Sequence, residues 1–277
     1  MADKNSRSKL RTSRPDLSSI GGLVLAAAGI LGGLLLEGGK ISQILQPTAA
    51  MIVFGGTLGA VLIQFPLPVV TAAARRLARI FFEASVDLES AMETLVTMAN
   101  LARRYGIVSL DAELGTITDP FMKKVLMLAV DGTEPQELRK IVELELDNQY
   151  EREERLPQVF ESAGGFSPTV GIIGAVLGLI QVMQQLDKID EVGRGIAVAF
   201  VATIYGVGAA NMLFLPVAGK LRIRLREEQV QREMVLEGVL SILEGMNPRM
   251  LRTALRSFLA ESGFEHVRAQ STKAAGA

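Results

Sequence analysis

Four stretches of this chain carry no charged residue at all: Leu17–Leu36, Ile41–Ala74, Ser162–Leu186 and Gly195–Gly219. A helix needs about 20 mostly apolar residues to cross the hydrocarbon core of a bilayer, so each stretch is long enough to span. The second is longer than a span requires. Pro47, Pro66 and Pro68 trim it to Pro47–Phe65, because proline tends to mark a helix boundary. An all-α integral membrane protein with four spans in a two-plus-two arrangement is expected. A helical segment separates the pairs and another helix follows the last span.

Lysine and arginine near the spans set orientation. Lys4, Arg7, Lys9, Arg11 and Arg14 precede the first span, Arg75, Arg76 and Arg79 follow the second, and Lys220, Arg222, Arg224 and Arg226 follow the fourth. The loop after the first span holds only Lys40, and Lys188 and Arg194 between spans three and four are offset by Asp187, Asp190 and Glu191. Both termini and the middle segment are therefore expected on the cytoplasmic side. A basic start meeting an apolar run also has the look of a signal peptide. The run is longer than such a signal needs, however, and Glu37-Gly38-Gly39 offers no small-x-small cleavage site. A cytoplasmic tail over 1–16 is expected instead. The divisions that follow are spans one and two in 17–74, a helical domain in 75–161, spans three and four in 162–219, cytoplasmic helices in 220–262 and a disordered tail in 263–277.

Local signals place the cytoplasmic helices. Ser85–Tyr105 has apolar residues at mostly helical spacing and Gly106 as a stop. Asp119-Pro120 opens a short helix, since aspartate caps and proline suits the first turn. Pro135–Tyr150 is acidic and amphipathic, Lys220–Glu244 continues span four, and Asn247-Pro248 restarts a helix over Pro248–Leu259.

The chemistry available is narrow. There is no cysteine, which excludes disulfides, thiol nucleophiles and cysteine metal sites. The one histidine, His266, stands in the polar tail with no evident partner to orient it. No nucleophile–base pair or metal cluster is visible, so an enzyme is not expected and neither is a cofactor. The net charge of -1 gives no hint of nucleic acid. Ionisable residues inside spans are the usual mark of proton relays and ion paths, and the four runs have none. If this protein moves ions, a partner must bring the charged group. Small residues then become informative: Gly22, Ala26, Gly29 and Gly33 in span one, Gly55 and Gly59 in span two, Gly171, Ala175 and Gly178 in span three, and Gly195, Ala199, Thr203, Gly206 and Ala210 in span four form ridges that allow close helix approach. Thr203 offers a hydroxyl beside the space left by Gly206, though a threonine in a span also bonds its own backbone. Pro168 and Pro216 each free a carbonyl and can bend a helix. Tyr205 and Asn211 have no assigned role beyond packing or a bond to a neighbouring helix.

The strings SPTVGIIGAVLGLI (167–180), AVAFVATIYGVGAANMLFLPVAGKL (197–221), LARRYGIVSLDAEL (101–114), AVDG (129–132) and EGMNPR (244–249) occur in a distinctive order. Together they resemble the A subunit of the flagellar motor stator, the MotA/PomA family, over about residues 18–260. The resemblance implies a pentamer around a dimer of a B-type subunit. That subunit has one span, an aspartate that takes the ion, and a peptidoglycan-binding domain. It implies placement in the bacterial inner membrane and torque delivered to a rotor protein of the FliG type. By position, Pro168 and Pro216 match the hinge prolines of spans three and four, and Thr203 the threonine lining the ion path. Arg103 and Arg104 match the rotor-facing basic pair. Asp111 matches a rotor-facing acid that is usually glutamate, with Glu113 close by as a second candidate. The other reading of the arginines is a solvated helix end, where a cation suits the macrodipole. Sodium-driven members carry threonine where this sequence has Ala175 in IIGAVLG. Sodium needs replacement oxygens when it sheds water, whereas a proton needs one protonatable group, so Ala175 favours protons. A related energiser of the ExbB/TolQ group usually has three spans, against four here. A secondary transporter would need charged or polar midplane groups and internal pseudo-symmetry, which are not seen.

Overall fold

The computed structural model describes residues 16–80, 87–184, 186–187 and 189–261. The basic N-terminal residues up to Pro15, Lys188, His266 and the tail expected beyond Gly263 lie outside the described residues. Among the described residues the chain is helical throughout, with no strand. Ten α-helices follow in order: α1 Leu17–Leu36, α2 Ile41–Ile44, α3 Pro47–Gln64, α4 Leu67–Ile80, α5 Leu88–Tyr105, α6 Pro120–Val130, α7 Pro135–Gln184, α8 Ile189–Ala209, α9 Leu215–Leu243 and α10 Pro248–Glu261. A 3-10 helix, Ile107–Glu113, follows α5, and a π-helical turn, Ala210–Phe214, joins α8 to α9.

Four helical stretches are long and apolar enough to cross a membrane: Ser18–Leu36, Pro47–Gln64 and parts of Pro135–Gln184 and Val192–Leu243. The chain divides into two compact units. One holds Met1–Ala84 and Glu154–Arg222, the other Ser85–Glu153 and Ile223–Ala277. The boundaries between them fall inside α7 and α9, so each of these helices belongs partly to both.

The apolar unit contains α1 to α4, the second half of α7, α8 and the start of α9. The carboxylate of Asp16 caps α1, accepting from the Ser18 N–H at 3.1 Å. Pro47 sits in the first turn of α3, where its missing N–H costs nothing. At the other end the Phe65 N–H closes onto the Val61 carbonyl at 2.9 Å, just ahead of Pro66. Helix α1 buries almost none of its apolar face within this unit, and Val24, Leu25, Ile30 and Leu36 point outward. In water that would be untenable; in lipid it is the expected face of a spanning helix.

The polar unit is built around one core. Leu88, Met92, Leu95 and Met98 of α5 meet Met122, Val125 and Leu126 of α6, Leu138 and Val142 of α7, Met234 and Val239 of α9, and Leu251 and Leu255 of α10. Each fully buried side chain of this size contributes about 1.5–3 kcal/mol. Caps fix the helix ends. Asp87 accepts from the Ser90 N–H at 3.0 Å, and Asp119 from the N–H groups of Phe121 and Met122 at 2.9 and 3.4 Å. Gly106 ends α5 with φ +84°, a conformation that favours glycine. Asn247 accepts from the Arg249 N–H at 3.0 Å and starts α10.

Helix α7 departs from the expected reading of an amphipathic helix over Pro135–Tyr150 separate from span three. It runs unbroken from Pro135 to Gln184, with Pro157 and Pro168 inside it. Each proline removes an N–H and leaves the carbonyl four residues earlier without its helical donor, a cost of about 3 kcal/mol in an isolated helix. Packing along the rest of the helix outweighs it. The other expected ends, at Gly106, Asp119-Pro120, Pro47–Phe65 and Asn247-Pro248, coincide with helix boundaries within two residues at most.

Candidate functional site: a glycine seam and a basic helix end

Helices α7 and α8 approach along a line of small residues. A Cβ built on Gly171 would stand 2.9 Å from the Ala202 carbonyl oxygen, 3.2 Å from the Gly206 Cα and 3.5 Å from the Thr203 Cα. One on Gly178 would stand 2.9 Å from the Gly195 carbonyl oxygen. One on Gly206 would stand 2.6 Å from the Ser167 carbonyl oxygen, 3.0 Å from the Gly171 Cα and 3.3 Å from the Pro168 Cα. The obstructing atoms are largely backbone, which cannot rotate aside. These glycines are therefore required by the contact itself, and the ridge of small residues is a helix–helix seam within this chain.

The seam brings three of the expected ion-path residues together: Pro168 from α7, and Thr203 and Gly206 from α8. Thr203 is half-buried, and its hydroxyl donates to the Ala199 carbonyl one turn back, at 3.3 Å. Ala175 lies one turn beyond Gly171 on α7, half-buried. Pro216 stands apart, past the π turn and exposed. With no N–H to donate, it follows a turn in which the Leu215 N–H reaches back five residues to Ala210, the widened geometry that often accompanies a bend. Pro216 also lines a cleft of about 350 Å³ with Gly22, Leu23 and Ala26 of α1.

Several groups that matter here carried no clear sequence signal. Ser167 is fully buried, and its hydroxyl donates to the Gly206 carbonyl at 2.9 Å. Lys220 pairs with Asp16 and bonds the Ser19 hydroxyl, tying the start of α9 to the start of α1. The Thr57 hydroxyl on α3 is buried with no hydrogen-bond partner among the described residues. Tyr205 gains a role: its hydroxyl donates to the Ile44 carbonyl at 2.5 Å and accepts from the Gln46 N–H at 3.3 Å, satisfying backbone groups of the turn between α2 and α3. Tyr205→Phe should leave both groups unpaired and cost about 1–3 kcal/mol. A lower midpoint in the thermal unfolding of the detergent-purified protein checks this. Asn211 bonds its own helix at Val207, 2.9 Å away.

The second candidate region lies in the polar unit. Arg103 and Arg104 occupy the last turn of α5, where a cation complements the helix dipole. Both are exposed, and neither pairs with an acid among the described residues. Other arginines of this unit are engaged. Arg252 meets Glu93 at 2.6 Å, and Arg139 meets Glu237 at 2.7 Å, a hydrogen bond that holds its guanidinium still more firmly in the charged form. The 3-10 helix directly after Gly106 carries Asp111, exposed, and Glu113, half-buried. A short turn thus presents free basic and acidic groups one after the other. No group of three or more His, Asp or Glu side chains able to hold a metal occurs among the described residues.

Four apolar helical stretches, a small-residue seam and helices that continue into a polar unit define an all-helical membrane protein. Residues 113–234 match the MotA/TolQ/ExbB proton channel family, and residues 20–106 match the motility protein A N-terminal family. Motility protein A of Bacillus subtilis strain 168 is 36% identical over 248 residues, covering 88% of this chain and 91% of that protein. Chemotaxis protein PomA of Vibrio alginolyticus is 31% identical, covering 89% and 96%. The structure of C. jejuni MotAB superposes with a TM-score of 0.83 at 31% identity over 88% of this chain and 95% of that one. The flagellar MotAB stator complex from Bacillus subtilis gives 0.81 at 34% identity, covering 90% and 98%. The chain belongs to the MotA/PomA family of flagellar stator A subunits. It is a multi-pass membrane protein and not an enzyme.

Proposed function

We propose that this chain forms, with a single-span B-type subunit, a proton channel whose ion flow turns the A subunits against the rotor. One observation carries the reading: Pro168, Thr203 and Gly206 meet at a seam whose two stretches, 162–184 of α7 and 195–209 of α8, hold no carboxylate, lysine or histidine. A wall of this kind conducts only beside a titrating group from another chain, and the solved relatives are MotAB complexes. Both termini lie in the cytoplasm, five copies surround two B subunits, and Arg103, Arg104 and Asp111 or Glu113 face the rotor protein. Membrane lipid covers the outward face of α1. Pro168 and Pro216 act as hinges. Ala175, which brings no oxygen to the path, favours protons over sodium.

Thr203→Ala tests the ion path. Loss of one wall hydroxyl, worth about 0.5–1.5 kcal/mol, lowers flux about 2- to 12-fold at unchanged protein level. Proton uptake into vesicles carrying the co-purified A and B subunits measures it. Normal uptake removes Thr203 from the path. Uptake or rotation that follows the sodium gradient and survives a protonophore overturns the choice of ion.

A further inference from the structure

The seam between α7 and α8 is smooth. Its contacts are glycine and alanine backbones, which allow close approach but few interlocking side chains. Small residues recur along both helices, so register depends on the few positions where only glycine fits and on any polar bond that crosses the seam. Gly171 and Gly178 resist displacement, each with a would-be Cβ 2.9 Å from a carbonyl oxygen of α8, and two further features do so next to Pro168. Gly206 is the position against which the Ser167 carbonyl packs, at 2.6 Å from a would-be Cβ, and a slip of one turn would bring the methyl of Ala202 or Ala210 there instead. The other feature is directional: the Ser167 hydroxyl donates to the Gly206 carbonyl at 2.9 Å with Ser167 0% exposed.

The remaining polar side chains near the seam do not cross it in this way. Thr169 bonds Phe166, Thr203 bonds Ala199 and Asn211 bonds Val207, each within its own helix. Ser167 could have done the same, since serine in a helix commonly bonds a carbonyl of the preceding turn. It reaches across instead. A carbonyl oxygen has two lone pairs, so Gly206 can receive this bond besides a helical one. Ser167 immediately precedes Pro168, and Gly206 lies one turn from Thr203. The bond therefore joins the proline-bearing turn of α7 to the threonine-bearing turn of α8.

We propose that the Ser167 hydroxyl is a positioning group for the ion path: through the Gly206 carbonyl it holds α8 in register with α7 and so fixes where Thr203 stands. The proposal rests on the assignment of Thr203 to that path. Ser167 touches neither the ion nor the partner carboxylate; it acts through the helix that carries the wall.

The test uses whole motors. S167A, S167T, T203A and the double variant S167A/T203A are expressed with the B subunit, and rotation speed at low load is measured per stator counted by a fluorescent tag. S167A is expected to slow rotation about 2- to 12-fold at normal stator number, the effect of one buried hydrogen bond. S167T keeps the hydroxyl and is expected to recover most of the speed. The double variant is expected to be no slower than T203A alone, because Ser167 acts through Thr203. Wild-type speed in S167A, loss of assembled stators in S167A, or a double variant slowed by the product of the single effects would each overturn the proposal. Normal speed in T203A sinks the ion-path assignment and the proposal with it. A slow T203A beside a normal S167A sinks the proposal alone.

Discussion

Gly206→Ala is expected to abolish torque. A single methyl at this position would stand 2.6 Å from the Ser167 carbonyl oxygen and 3.0 Å from the Gly171 Cα, with backbone on both sides and no side chain free to move away. Helices α7 and α8 must then part, and the seam loses both its dispersion contacts and the Ser167 hydrogen bond. Overpacking of this kind costs about 1–3 kcal/mol or more where nothing yields. The core of the polar unit is untouched by the change. The expected result is therefore a protein that is made and retains helical content but does not conduct or drive rotation. Gly208→Ala is the matching control: nothing lies within 4 Å of its Cβ position, so motility should be near normal. If both variants swim alike, the seam is not where function resides.

Reversing Arg103 and Arg104 to glutamate is the second large effect. Both side chains are exposed and without an acidic partner among the described residues, so removing them breaks no internal pair. Stability should fall only modestly, by about 1 kcal/mol per residue, as the charges that suit the end of α5 are reversed. Contact with a rotor surface of matching charge would turn from attraction to repulsion, which costs several kcal/mol when like charges are juxtaposed. Even with screening to about 1.4 kcal/mol the engaged fraction falls about tenfold. Bead-assay torque should collapse while stator number and proton uptake stay normal. Raised ionic strength in the wild type should move torque in the same direction. Failure of the variant to assemble would instead make the pair structural.

Helix ends were legible because they are local chemistry. Asp119-Pro120 encodes a cap and a first turn within two residues, and Gly106 encodes a stop through a backbone angle that a side chain disfavours. The spans were legible because lipid demands a long uncharged run. The continuity of α7 was not, since Pro157 and Pro168 argue locally for boundaries and only the packing of distant segments overrides them. The π turn at Ala210–Phe214 had just one signal, the missing N–H of Pro216, which also suits a simple bend. Ser167 was hidden for a related reason: a serine before a proline reads as turn chemistry. That its hydroxyl crosses to Gly206 depends on a partner 39 positions away. Arg103 and Arg104 entered through family resemblance, which also raised Thr203 above ordinary packing. Their local chemistry permits a wall and a contact surface without requiring either.

The division of the polar unit between two distant stretches of chain sets an order of manufacture. Leu95 of α5 is buried partly by α9, where Gly238 leaves room for it: a Cβ there would meet the Leu95 side chain at 2.7 Å. Helix α9 leaves the ribosome only after the last two apolar stretches have been made. At ~5–20 residues per second, the wait between the two halves is ~4–14 s. Through that interval the buried face of α5 and α6 has no permanent cover. A newborn chain is then a client for any chaperone that reads bare leucine and methionine, and an early stop anywhere before Val239 leaves a product with an open core fit for proteolysis.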